Sequence, residues 1–165
     1  LFFSSHRSPV YGSKGIVASS QPLATAAGLE ILRSGGNAAS AAVAVAAALN
    51  VTEPTSTGLG GDVFVLYYSS ENKKVYALNG SGRSPLQLSL QKLKTSGLSA
   101  LPPTHPYTIT VPGACAAWVD INNKFGNKNL DQIFEPAIDL AENGFPVSPI
   151  TAYFWDLSAK RLLNK

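Results

Sequence analysis

An α+β fold, rich in helices and carrying a single β-hairpin, is predicted for these 165 residues by three features of the sequence. Apolar residues recur at helical spacing from Leu23 to Leu32 and pass into an alanine-rich run, Ala38 to Ala48. Two β-branched and aromatic runs, Val63 to Tyr68 and Val75 to Leu78, are joined by the polar stretch Ser69-Ser70-Glu71-Asn72-Lys73-Lys74. Beyond Pro112-Gly113 the apolar spacing is helical again, almost to the end of the chain.

Taken in order, residues 1–14 read as an irregular leader and 15–165 as folded material. Pro22 suits a first helical position, with Ser19 or Ser20 as the cap, and Gly35-Gly36 ends that helix. Asn37 or Ala38 begins a second helix, apolar on nearly every side and so expected to be buried on most faces, until Pro54 closes it. Val63 to Tyr68 is apolar continuously, as expected of a strand covered on both faces. Asn79 to Pro85 is a Gly/Ser loop, Leu86 to Ser96 has helical spacing, and Thr108 to Val111 reads as a short strand. Helices are then expected over Ala114 to Phe125, over Leu130 to Asn143, and past Pro149 through Trp155 and Leu162. Two strands are too few for a stable sheet, so further strands are expected from elsewhere.

Composition narrows the function classes. With 45% hydrophobic and 14% charged residues the chain has material for a core. Its 13 basic and 10 acidic residues are scattered singly, without the basic runs of nucleic-acid binders, so no nucleic-acid partner is expected. Cys115 is the only cysteine and His6 and His105 the only histidines, too few ligands for a structural zinc site; no metal and no cofactor are expected. Ala38 to Leu49 is too short to span a bilayer, which takes about 20 apolar residues. The chain starts at Leu1 and holds no methionine, so its natural start is expected upstream, with room there for a signal or anchor; a membrane role stays open.

Gly58-Leu59-Gly60-Gly61 lacks both the dinucleotide and the P-loop pattern. Two readings of it stand: backbone that comes close to a neighbour or substrate and offers N–H donors to an oxyanion, or a tight turn before a strand. Ser81, in Gly80-Ser81-Gly82, has neither the spacing nor the context of an esterase nucleophile. No catalytic residue is assigned within the chain. Cys115 reads as a small buried filler. Arg83, in a glycine-flanked loop after a strand, has its planar fork free to grip a carboxylate, or is a solvated loop charge. Asp62 and Glu53 stand beside the glycines, as site residues or as structural caps.

Three segments in this order resemble the γ-glutamyltransferase (glutathione hydrolase) family. They are Gly15-Ile16-Val17-Ala18-Ser19-Ser20-Gln21-Pro22 with Gly28-Leu29-Glu30-Ile31-Leu32-Arg33-Ser34-Gly35-Gly36-Asn37-Ala38-Ala39; Glu53-Pro54 with Gly58-Leu59-Gly60-Gly61 and Phe64; and Thr110-Val111-Pro112-Gly113 with Phe134-Glu135-Pro136-Ala137-Ile138-Asp139. The resemblance implies an N-terminal-nucleophile hydrolase, a four-layer αββα sandwich made as a self-cleaving precursor. Residues 15–165 then resemble the first part of its large subunit, an incomplete domain inactive alone, whose partners are the rest of that subunit and the small subunit. A threonine at the start of the small subunit, beyond Lys165, attacks the γ-glutamyl amide of a small substrate such as glutathione, with its own amine as base. The implied setting is extracellular or membrane-associated, or cytoplasmic where no signal precedes the segment.

The sequence departs from the family's usual form at one place. That form has an arginine and a glutamate four and three residues before the proline that matches Pro85, and the arginine holds the substrate α-carboxylate. Here Ser81 and Gly82 stand there, and the arginine is Arg83. Arg83, Gly60, Gly61, Asp62 and Ser81 are therefore the expected substrate-side residues. The shift also fits a different acyl group, as in the related cephalosporin acylases; a non-catalytic binding or assembly homologue is a separate alternative.

Overall fold

The computed structural model describes residues 8–163, so His6 and the first half of the expected leader lie outside the described residues. Residues 8–14 form no helix or strand. Helix α1, Pro22–Arg33, is capped not by Ser19 or Ser20 but by Gln21, whose side chain turns back to accept the N–H groups of Leu23 and Ala24. Ser19 is otherwise engaged, donating to Gln21 O at 2.8 Å. Gly35 stops the helix with φ +88°, a conformation that other L residues enter at a cost. Helix α2, Ala38–Thr52, begins at the Asn37 cap and buries Ala39, Ala41, Val43, Ala44, Ala47 and Ala48. Small residues let it lie hard against α1: a Cβ at Gly28 would sit 2.5 Å from Val45 Cγ2.

Strands β1, Val63–Ser69, and β2, Lys74–Gly80, form an antiparallel hairpin with Val63 opposite Gly80 and Ser69 opposite Lys74. Alternation along the strands turns Val63, Val65 and Tyr67, with Leu78, toward the helices. Tyr67 and Tyr76 both meet Phe125, with ring centroids 4.3 and 4.8 Å away. On the other face Phe64 is 71% exposed and Leu66 79%, with Tyr68 and Val75 also open. The expected cover on both faces is thus half present: one helical layer backs the hairpin, and among the described residues nothing backs the other side.

Three expected elements differ. Strand β2 continues through Asn79 and Gly80, which pair with Phe64 and Val63, so the Gly/Ser loop begins only at Ser81. Instead of Leu86 to Ser96, helix α3 spans only Leu90–Thr95, because Leu88 N donates to Pro85 O in a turn and Ser89 caps the helix by accepting from Lys92 N; Leu86 is fully exposed. Thr108 to Val111 is no strand: a 3-10 turn covers Pro106–Thr108 and the chain then runs extended. Only one sheet-like bond forms, Val111 N to Arg83 O at 2.9 Å, since Pro112 has no N–H and Gly113 N is drawn to Gly61 O.

Helices α4, Ala114–Phe125, and α5, Leu130–Asn143, have the expected bounds. Their joint with α2 is polar. The fully buried Ser40 hydroxyl donates to Asn122 Oδ1 at 2.9 Å and accepts from Asn127 N at 3.1 Å and Lys128 N at 3.3 Å, while Asn122 Nδ2 reaches Lys128 O. Helix α6, Pro149–Leu163, buries none of its residues. No described helix is long and apolar enough to cross a membrane.

Replacing Ser40 with alanine strands two backbone N–H groups and an amide oxygen. We expect the Ser40→Ala precursor to lose about 1–3 kcal/mol in denaturant unfolding; an unchanged midpoint would show that water replaces the hydroxyl without loss.

Candidate functional site

Hairpin register alone brings the Gly58–Asp62 loop, which precedes β1, beside the Ser81–Pro85 loop, which follows β2. A third segment, Thr110–Gly113, enters between them on its way into α4. Three sets of bonds tie the segments together. Gly61 O accepts Gly113 N at 3.1 Å and Ala114 N at 2.9 Å, capping α4, whose own N-cap residue is a glycine with no side chain to do so. Asp62 Oδ1 accepts Gly82 N at 2.7 Å and the Thr110 hydroxyl at 3.2 Å. Val111 N donates to Arg83 O.

The approach is too close for side chains. A Cβ at Gly82 would stand 1.7 Å from Val111 O, one at Gly113 2.3 Å from Gly80 O, and one at Gly80 2.6 Å from the Ala117 Cβ. Close approach thus resides at Gly80, Gly82 and Gly113. Gly58 and Gly60 have open space where a Cβ would be, and Gly61 N is spent on Gly58 O at 3.0 Å, the bond of a tight turn. That leaves Gly61 no free N–H for an oxyanion.

Arg83 is exposed. Its backbone is anchored, yet among the described residues its guanidinium has no acidic partner; the ion pair found there is Lys160 with Asp156. Ser81 is exposed as well, its N–H held by Asn79 Oδ1 at 3.0 Å. The other candidates are placed structurally. Glu53 accepts from the Ser20 hydroxyl at 2.7 Å, and His105 Nδ1 accepts from Tyr107 N. Cys115 is not a buried filler: it is exposed, on the side of the first turn of α4 away from the core that Ala114, Ala117 and Trp118 enter, with Sγ 3.6 Å from Leu59 O. Under that loop lies a cavity of about 390 Å³ whose lining includes Asn50, Thr57, Asp62 and Trp118. Asn50 Oδ1 and Trp118 Nε1 are buried there without a hydrogen-bond partner among the described residues; the sequence marks Asn50 only as the head of the common glycosylation-type tripeptide Asn50-Val51-Thr52, and Trp118 not at all.

The sequence model of the gamma-glutamyltranspeptidase family matches residues 24–165, a span that takes in all three converging segments. The chain belongs to the gamma-glutamyltranspeptidase family. It is 46% identical to the glutathione hydrolase-like YwrD proenzyme of Bacillus subtilis (strain 168) over 140 residues, 84% of this chain and 26% of that protein. Among solved structures it resembles the gamma-glutamyltranspeptidase of Helicobacter pylori, with TM-score 0.87 and 32% identity over 95% of this chain and 46% of that one. The cephalosporin acylase of Bacillus halodurans is similar with TM-score 0.83 and 41% identity, over 99% of this chain and 32% of that one. The chain spans about a quarter of the length of the curated relatives it matches. Within this gamma-glutamyltranspeptidase segment, then, a helix-rich α+β unit with one hairpin carries a glycine-lined crossing, and Arg83 stands at its rim.

An added methyl group tests the crossing. Gly82→Ala must push the 110–111 segment aside and should destabilise the precursor by about 1–3 kcal/mol in denaturant unfolding; wild-type stability would mean that the loop shifts freely.

Proposed function

We propose that the protein containing this chain is an amidohydrolase and acyltransferase of the γ-glutamyl type, and that the chain supplies the acyl-carboxylate wall of its active site. The observation that carries this is Arg83: a guanidinium without an acidic partner among the described residues, on a loop pinned through Gly82 N and Arg83 O. A planar fork held in that way is suited to bidentate binding of a carboxylate. Gly60, Gly61 and Ser81 form the rest of the rim.

In this reading the chain is one helical layer and part of one sheet of a four-layer αββα sandwich, and it belongs to a large subunit. The open apolar face of the hairpin, with Phe64 and Leu66, lies against the remainder of the precursor, as the proenzyme names of its relatives suggest. The nucleophile is a threonine hydroxyl on another segment. It adds to the amide carbonyl carbon, its proton passes by way of the threonine's own amine to the departing nitrogen, and the ester so formed is opened by water or by an acceptor amine. Arg83 orients the acyl group for both steps by holding its far end.

A second reading is favoured by two observations: 41% identity to a cephalosporin acylase, and Ser81-Gly82 where the usual form has arginine and glutamate. The acyl group would then come from the monoamide of another dicarboxylic acid, as a glutaryl group does. Both readings need a carboxylate grip.

Steady-state kinetics of the intact, processed enzyme on γ-glutamyl and glutaryl anilides test both. Arg83→Ala should raise KM for the preferred anilide roughly 10- to 100-fold, the worth of charged hydrogen bonds, and Arg83→Lys should fall between. An unchanged KM in Arg83→Ala would remove Arg83 from the wall; activity on neither anilide would remove the function.

A further inference from the structure

We propose that Asp62 is the positioning residue of Arg83: its carboxylate sets where the guanidinium is presented and does not itself touch the substrate. The inference rests on the carboxylate-wall reading of Arg83 given above.

The loop that carries Arg83 has little to hold it in place. Gly80 and Gly82 contribute no side chain, Ser81 and Arg83 are exposed, and the anchors are backbone groups. On the N-terminal side of Arg83, Ser81 N is held locally by Asn79 Oδ1 at 3.0 Å, and the anchor to another segment is Gly82 N, which donates to Asp62 Oδ1 at 2.7 Å. On its C-terminal side Arg83 O accepts from Val111 N at 2.9 Å, and that segment is tied to the same Asp62 oxygen through the Thr110 hydroxyl at 3.2 Å. One carboxylate oxygen therefore fixes both segments between which Arg83 emerges. Both bonds end on a single side-chain oxygen, so what the crossing requires of residue 62 is an acceptor held at that point.

Asp62 is itself rigidly placed. Gly61, just before it, caps α4 through its carbonyl, and Val63, just after it, opens β1. The carboxylate thus transmits the position of the hairpin and of α4 to a loop that glycines would otherwise leave free. The placement matters because a guanidinium free to wander must be ordered when the substrate carboxylate binds, which weakens the grip.

The test is a mutant cycle on the intact, processed enzyme, read as KM and kcat for whichever of the γ-glutamyl and glutaryl anilides it cleaves. Asp62→Ala should raise KM about tenfold and leave kcat within about twofold, an effect on holding and not on chemistry. Asp62→Asn should recover most of that loss, since its amide oxygen can accept the same two bonds, and Thr110→Val, which removes one of them, should fall between. In an Arg83→Ala background none of these changes should raise KM further, because the group being positioned is gone. Should Asp62→Ala fail to mature, Thr110→Val and Asp62→Asn run the same cycle. Two results would overturn the proposal: Asp62→Asn as damaging as Asp62→Ala, which would mean that the charge itself meets the substrate, or Asp62 and Arg83 defects that multiply. An unchanged KM in Arg83→Ala defeats the wall reading and this one with it, a result distinct from either.

Discussion

The structure depends on backbone meeting backbone without side chains between. At Gly80, Gly82 and Gly113 three segments cross so closely that a single methyl group at any of them would overlap a neighbour. That closeness lets Gly61 O reach the first N–H groups of α4 and so locks the hairpin to the helical layer. Without it the hairpin would rest on the helices by side-chain packing alone, chiefly Tyr67 and Tyr76 on Phe125. The loops at its open end would then have no fixed relation to one another. The candidate site is therefore a by-product of the way the sheet is joined to its helices.

A second constraint is the one-sidedness of the sheet. Burying a side chain the size of phenylalanine or leucine is worth about 1.5–3 kcal/mol, and Phe64, Leu66 and Tyr68 gain little of that within this chain. The helical side has no such deficit: alanine and glycine bring α1 and α2 together, and the Ser40 network closes the joint to α4 and α5. The two faces of the hairpin thus differ in how much of their apolar surface is covered. One face is held by the described helices, and the other faces outward with apolar side chains.

Much of this was legible in the residues. Strong periodicity with clear stops marked α1, α2, α4 and α5, and the hairpin was written in two β-rich runs around a polar turn. The misses have local physical causes. Gln21 caps α1 because a longer side chain can curl back over the first turn, while the better-known capping residue Ser19 is bonded elsewhere. Leu86 and Leu90 have helical spacing, but a turn at Pro85 uses the residues between them. Thr108 to Val111 has strand composition, but its neighbours, Pro112 and the Gly61 carbonyl, withhold the ladder bonds a strand needs.

By itself the sequence determined the family, through three ordered blocks of residues, and the type and order of the main elements, because periodicity and stop signals act within a few residues of themselves. It also marked Arg83 as a cation in a glycine loop. Only the tertiary structure decided that close approach lies at Gly80, Gly82 and Gly113 and not at Gly58 or Gly60, and that Asp62 is bonded to the loop of Arg83. The Asp62 bonds, to Gly82 N and the Thr110 hydroxyl, join residues 20 and 48 positions apart, and no pattern along the chain encodes which carboxylate a distant group will meet until the hairpin has brought its two ends together.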